Sequence, residues 1–387
     1  MTVYLDHAAT TPLRLEARDA WLSAADLVGN ASSVHGAGQR TRRLLEESRE
    51  RLAAVAGCDP VEVVFTSGGT ESTNLALKGL WWSRPDGADT VVLPDGEHHA
   101  TLDTVEWLRT AQGASVVAVP LTATGHIEAA RFAAALPGAA MATALVANNE
   151  VGTVNDVQTL ARLARDAGVP LHLDAVGAFG HLPLSFRSLR GDAARSTGLV
   201  AMSVSAHKIG GPVGVGALLV ARQAVLTALQ QGGGQQRGLR SGTQDVAGAA
   251  AFAVAAELAA DERANETVRV GALRDRLVAG VLAAVPQAVL LGDPVDRLPG
   301  NAHFHFPGAT GETLLFLLDR AGIAVSTGSA CQAGIPEPSH VVLSLGMTDA
   351  AARQVLRISL GRTSSAADVD AVLAALPPAV ERARAAS

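Results

Sequence analysis

The chain has 387 residues, is 48% hydrophobic but only 3% aromatic, and carries a formal net charge of −6. That length and apolar content suit two domains or one large α/β unit, with a core built from Ala, Val and Leu. The acidic balance is not the footprint of a nucleic-acid binder, and two cysteines, Cys58 and Cys331, are too few for a disulfide framework or a four-ligand metal site.

The opening "MTVYLDHAATTPL" has neither the basic n-region nor the apolar h-region of a signal peptide. No apolar run free of charges or turn residues reaches about 18 residues, the span of a membrane helix. A cytoplasmic protein without a membrane partner is expected. Short, β-branched, mostly apolar runs follow: "VEVVF" (61–65), "TVVLP" (90–94), "SVVAVP" (115–120), "TALVA" (143–147), "VPLHLD" (169–174), "LVAMSVS" (199–205) and "GVGALLV" (214–220). Between several of them lie amphipathic stretches such as "QTLARLARDAG" (158–168), ending in the glycine that commonly caps a helix. This alternation predicts an α/β fold, a mostly parallel sheet with helices on both faces. Such sheets bind ligands at the carboxyl ends of their strands.

From about residue 256 the character changes. A long helical pattern, "VAAELAADERANETVRVGALRDRLVAGVLAAV", leads to the strand pattern "NAHFHF" (301–306), a helix, a Gly-Ser loop around Cys331, and a last strand and helix. The expected division is a large domain over 12–255 and a smaller α+β domain over 256–387, joined by residues 1–11.

Several residues carry chemistry. "VVFTSGGTESTNLALKG" reads as a strand, a Gly-rich turn and a helix opening at Thr70, whose N–H groups and dipole suit a phosphate. Its spacing matches neither a Walker A loop nor a dinucleotide fingerprint, and an ordinary capped helix is an equal reading. Lys78, two turns further on, reads as a solvated charge. Asp174, ending "VPLHLD", could hold a metal, orient a histidine or pair with a protonated ring nitrogen. His98 and His99 are adjacent and face different ways, and His303 and His305 alternate along a strand, so no metal cluster is expected.

Lys78 and Lys208 are the chain's two lysines. Lys208 lies in "SVSAHKIGGPVG", a segment too small and apolar to be a solvated charged face. Desolvation there would lower its pKa and expose a neutral amine. An imine-forming lysine, a phosphate cradle and an aspartate for a ring nitrogen are together the requirements of pyridoxal phosphate. Cys331, in "STGSACQAG", has polar and glycine neighbours that suit a nucleophilic thiolate, whereas Cys58 before a strand reads as inert.

With these residues in place, the sequence resembles the group I (NifS/IscS-like) cysteine desulfurases of the class V aminotransferase family, which are fold-type I pyridoxal 5'-phosphate enzymes. The motifs "YLDHAATTP", "GNASSVHG", "FTSGGTESTN", "EHHATLDT", "NNEVGT", "SAHKIGGPVGVGALL", "RSGTQD", "STGSACQAGIPEPSH" and "LRISLGRTS" occur in the family's order from residue 4 to 364. The resemblance implies that Lys208 is the Schiff-base lysine, that His98 stacks on the ring and helps in proton transfer, and that Asp174 pairs with the ring nitrogen. Asn149 would lie near the phenolic oxygen. Gly69, Thr70, Ser205 and His207 would hold the phosphate, with Thr243 supplied by the partner of a homodimer with shared active sites. Arg357, with Asn30 beside it, would bind the carboxylate of L-cysteine. Cys331 would take the sulfur as a persulfide, releasing alanine, and pass it to an iron–sulfur scaffold or a tRNA-thiolating enzyme.

Three positions depart from the family pattern. Gly177 stands where a glutamine would donate to the cofactor, and Gln231 and Gln236 in "QGGGQQR" replace a histidine and a glutamate. Rival readings are another reaction on the same fold (selenocysteine lyase, C–S lyase or aminotransferase) or a non-catalytic homologue. The intact set of Lys208, His98, Asp174 and Cys331 argues against the last.

Overall fold

The computed structural model describes residues 2–194, 196–328 and 337–385. In chain order its strands are β1 (Val3–Tyr4), β2 (Val63–Thr66), β3 (Thr90–Pro94), β4 (Ser115–Val119), β5 (Met141–Leu145), β6 (Pro170–Asp174), β7 (Gly198–Ser205), β8 (Gly216–Val220), β9 (Val289–Leu291), β10 (Asn301–His305), β11 (Ile323–Ala324) and β12 (Val355–Ser359). Every strand-like run expected before residue 221 is present as β2 to β8, and together these form one seven-stranded sheet in the order β2-β8-β7-β6-β5-β3-β4. All neighbours in it are parallel except β8, which runs antiparallel to both β2 and β7.

The period-2 geometry of a strand sends alternate side chains to opposite faces. Val63 and Phe65 of β2, with Ala217 and Leu219 of β8, join the apolar layer beneath the helix Gly36–Ala56. Val64, Leu218 and Val220 join the other layer, with Leu75, Ala76 and Trp81 of the helix Gly69–Trp82. Both faces are covered, which is why these strands read as continuous apolar runs rather than alternating ones. A polar ladder crosses the sheet within this core: buried His172 bonds Thr143 at 2.9 Å and Ser203 at 2.8 Å.

The chain enters β3, pairs it on one side with β4, then returns to lay β5, β6 and β7 on its other side. The strand order therefore reverses at the β3/β5 boundary, where a crevice opens beyond the strands' carboxyl ends.

The long helix expected from the Ala/Glu/Arg-rich stretch begins earlier than the composition change suggests. It runs Val246–Ala284, capped by the Asp245 side chain on the N–H of Gly248 at 2.8 Å. It packs on the helices Leu15–Ala25 and Gly36–Ala56 and, further along, on the final helix Ala366–Ala385. Beyond it β12, β10 and β9 form an antiparallel sheet and β1 pairs with β11. Phe304, Phe306, Leu314, Leu356, Ile358 and Val372 fill the separate core there. Among the described residues no helix is long and apolar enough to cross a membrane.

Phe304 is fully buried between the smaller sheet and its helices. Phe304→Ala should cost about 3–5 kcal/mol of stability in a denaturant titration, the price of an aromatic-sized cavity.

Candidate active site

The carboxyl ends of β3, β5, β6 and β7 converge on one crevice. His98 follows β3 as the cap of the helix His99–Gln112. Asn149 follows β5, Asp174 is the last residue of β6, and Ser205 is the last of β7. His207 and Lys208 lie in the single 3₁₀ turn that comes next. The Gly-rich turn after β2 arrives at the same edge because β2 is parallel to β7. Six sequence-singled residues from four strands thus share one end of the sheet.

Their surroundings set their charge states. Asp174 is 4% exposed and accepts the backbone N–H of Val176 at 2.9 Å. Burial raises its pKa to about 6, opposed by that hydrogen bond and by the Lys208 charge. It is therefore ionised at neutral pH and set to hold a cation. His98 Nδ1 accepts the N–H of Ala100 at 3.0 Å, which leaves the proton of the neutral ring on Nε2. Burial, then the charge of Lys208, pushes its pKa down to about 4. The same two causes lower His207 to about 4, and its Nδ1 lies 3.2 Å from Thr10 Oγ1. The Lys208 Nζ donates to the carbonyls of Ala8 at 2.5 Å and Ala9 at 3.0 Å. The N-terminal segment thereby crosses the site.

The residues present fit a phosphate-bearing, cationic ring with an aldehyde. Ser205 Oγ is buried and has no hydrogen-bond partner among the described residues. The helix Gly69–Trp82 begins beside it, one residue earlier than expected, so that Gly69 and Thr70 sit in its first turn. Gly68 caps it at φ +153°, and a Cβ there would lie 4.0 Å from the Ser205 Oγ. A buried hydroxyl without a described partner, near a helix N-terminus across a side-chain-free residue, suits an anion.

Other expected residues lie elsewhere. Asn30 is exposed, and its Oδ1 caps the local turn by accepting the N–H of Ser32 at 2.8 Å. Thr243 is exposed on the segment leading into the helix Val246–Ala284. Cys331 lies outside the described residues. Arg357, on β12, is 3% exposed and reaches Asn149, whose carbonyl accepts its Nη1 at 2.9 Å.

Three comparisons bear on this arrangement. Residues 3–372 match the family model described as aminotransferase class-V. The chain is 49% identical to an IscS-like cysteine desulfurase of Mycobacterium tuberculosis, over 98% of this chain and 97% of that one. It is 40% identical to a cysteine desulfurase of Cereibacter sphaeroides, covering 100% and 97% of the two chains. A solved NifS-like protein superposes with a TM-score of 0.90 at 31% identity, covering 99% of this chain and 100% of that one. This chain belongs to the NifS/IscS-like cysteine desulfurases of the aminotransferase class-V family.

Within that family its departures acquire physical content. Gly177 is not in the left-handed region, and the nearest atom to a Cβ built there is the Ala147 carbonyl oxygen at 3.8 Å. It lines, with Lys208, His7, Thr11 and His181, a cavity of ≈ 110 Å³. Neither backbone nor packing demands a glycine there. Gln236 is structural: 7% exposed, its Oε1 accepts from Arg49 Nη1 at 2.9 Å and from the N–H of Phe65 at 3.2 Å. Gln231 is exposed and donates to the Ala228 carbonyl at 3.2 Å. Cys58 is buried, and burial pushes its thiol up to about 12, in keeping with an inert role. Lys78 is not simply solvated, since its Nζ lies 4.5 Å from the centre of the Trp107 ring.

Sequence reasoning gave no role to Glu97 or His181. Glu97 is 1% exposed, its Oε1 accepts the N–H of Leu145 at 2.7 Å, and burial, with Asp174 adding to it, raises its pKa to about 8. A carboxylate directly before His98 at a strand's carboxyl end was the available signal. His181 Nε2 donates to the Lys208 carbonyl at 3.2 Å, which steadies the lysine's turn from a residue 27 positions away. Away from the crevice, His126, Asp293 and Asp296 bring ligand atoms within 4.8 Å of one another. Asp293 Oδ1 already accepts the N–H groups of Val295 and Asp296, both at 2.8 Å, so the group is a local turn.

Two measurements check these assignments. Gly177→Ala should leave stability unchanged or raise it by about 0.4–1 kcal/mol, as at any glycine whose backbone suits alanine. The His98 ring should stay neutral as pH falls, with its C2-proton resonance titrating near 4 rather than 6.5. Because the folded value lies below the unfolded one, the stability His98 contributes is full above pH 6.5 and is lost as pH falls toward 4.

Proposed function

We propose that this chain converts L-cysteine to L-alanine with pyridoxal 5'-phosphate held in the crevice and the sulfur received by Cys331. The observation that carries this reading is the meeting of Lys208 and buried Asp174 at one sheet edge beside the buried Ser205 Oγ, which has no partner among the described residues. When bound, the cofactor supplies an electron sink for the charge left as the substrate's α-proton departs.

Each residue then has a task its geometry suits. Lys208 would hold the cofactor through its amine and is the base placed to move the substrate's α-proton. Asp174 supplies the negative charge for a protonated ring nitrogen. His98 offers a neutral ring with a proton on Nε2, able to stack and to donate. Ser205, His207 and the N–H groups of Gly69 and Thr70 hold the phosphate, and Asn149 lies on the phenolic side. Thr243, exposed in the single chain, completes the cradle of the partner copy in a homodimer with shared active sites. Arg357 clamps the substrate carboxylate, with Asn30 at the rim.

Cys331 acts as a thiolate on the substrate's sulfur. A sulfur–sulfur bond forms, the carbon–sulfur bond breaks, and its electron pair stays with carbon, which takes a proton on the way to alanine. The outer sulfur of the persulfide passes to a thiol of an acceptor, either an iron–sulfur scaffold or a tRNA-thiolating enzyme. The locale for this exchange is the cytoplasm.

The test is sulfide release from L-cysteine with a thiol reductant, using cofactor-loaded protein. The parent should release sulfide, and Cys331→Ser should lose it by at least a hundredfold while keeping the cofactor absorbance band. Equal release by both would instead identify a lyase that needs no cysteine.

A further inference from the structure

Asp6 has no role in the scheme above, yet it holds the guanidinium on which substrate binding depends. Its Oδ1 accepts from Arg357 Nη2 at 2.8 Å. The Arg357 side chain is 4% exposed and that of Asp6 21%. A guanidinium so far from water needs a counter-charge, and Asp6 is the carboxylate within ion-pair reach of it among the described residues.

The backbone brings Asp6 there. Residues 5–8 run beside the end of β12, with Asp6 bridged to Ser359. The Ser359 N–H donates to the Leu5 carbonyl at 2.8 Å, and the His7 N–H donates to the Ser359 carbonyl at 3.2 Å. Two residues on, the Ala8 and Ala9 carbonyls receive the Lys208 Nζ. One strap therefore carries both the partner of Arg357 and the partners of Lys208.

The hold on Arg357 is incomplete. Asp6 makes a single contact rather than a two-pronged one, and the buried Nε of Arg357 has no partner among the described residues. We infer that Asp6 is an internal stand-in for the substrate's α-carboxylate: it balances Arg357 before substrate binds and yields Nη2 to the incoming carboxylate. The inference rests on the reading of Arg357 as the carboxylate clamp. A bidentate carboxylate outmatches a single-contact one at a guanidinium, and Asp6, partly exposed, can turn to water when displaced. Asp6 is thus an affinity-determining residue for amino-acid carboxylates.

The experiment titrates cofactor-loaded protein with L-alanine, which has the amine and carboxylate but no thiol, and with ethylamine, which lacks the carboxylate. The readout is the change in cofactor absorbance on binding. Asp6→Asn keeps the size and removes the competing charge, so it should tighten L-alanine roughly twofold to fivefold, the worth of one partly exposed ion pair. Ethylamine affinity should not move. Unchanged or weaker L-alanine binding in Asp6→Asn would overturn the inference. Should that variant fail to fold, crystals of the unaltered protein with and without L-alanine decide it: the Asp6–Arg357 contact must open with ligand, and a retained contact overturns the stand-in role. Arg357→Leu separates the two readings, because unchanged L-alanine affinity there refutes the clamp itself.

Discussion

Three successive carbonyls after β5 are each gripped by a side chain from the neighbourhood of the smaller sheet. Asn149 O accepts from Arg357 at 2.9 Å, Glu150 O from Asn301 at 3.0 Å, and Val151 O from Arg297 at 3.0 Å. All three donors are buried. Buried carbonyls must find partners, so this segment cannot leave without stranding six polar groups at once. Arg297 makes the point sharply: burial pushes its pKa down to about 10, and its bonds go to backbone carbonyls, those of Asp293, Leu291 and Asn301 as well as Val151. The crevice exists in its observed shape because the two sheets are joined here.

From that joint the site's other contacts follow. Glu150, held by its backbone, accepts the Ser339 hydroxyl at 2.6 Å and so fixes the cap of the helix His340–Ser344. Gly328, at φ +91°, passes so close that an added Cβ would lie 3.0 Å from Glu150 Oε2. His340 donates to the Glu97 carbonyl at 2.9 Å, and Glu97 reaches the Leu145 N–H, fixing the turn that presents His98. Position at the crevice is therefore set by backbone atoms more than by side-chain pairs.

The electrostatics share one cause. Burial holds His7, His98, His207 and His303 in their neutral forms and raises Glu97 and Asp174. Lys208 adds its charge to this, pulling Asp174 back toward ionisation while keeping protons off His98 and His207. Neutral rings around Lys208 and Asp174, with the Arg357 charge balanced by Asp6, make an environment suited to carbanion chemistry, since few mobile charges compete with those that develop in the reaction.

By itself the sequence determined the strands of the large sheet, because strands covered on both faces are mostly apolar rather than alternating, as "TVVLP", "VPLHLD" and "LVAMSVS" are. It also singled out one lysine and one aspartate: Lys208 stands where the small, apolar neighbours do not suit a solvated charge, and Asp174 stands where a strand ends. Its motif order carried the family. What only the tertiary structure decided were contacts between residues far apart in the chain. Asp6 meets Arg357 across 351 positions, and Gln236 meets Arg49 across 187. The start of the long helix at Val246 precedes the change of character near residue 256, although Asp245 as cap and the Ala-rich run "VAGAAAFAV" that follows it mark the place. Local patterning records which face of a strand or helix is buried. Which distant group satisfies a buried charge depends on how the elements pack, and no periodicity in the sequence encodes that.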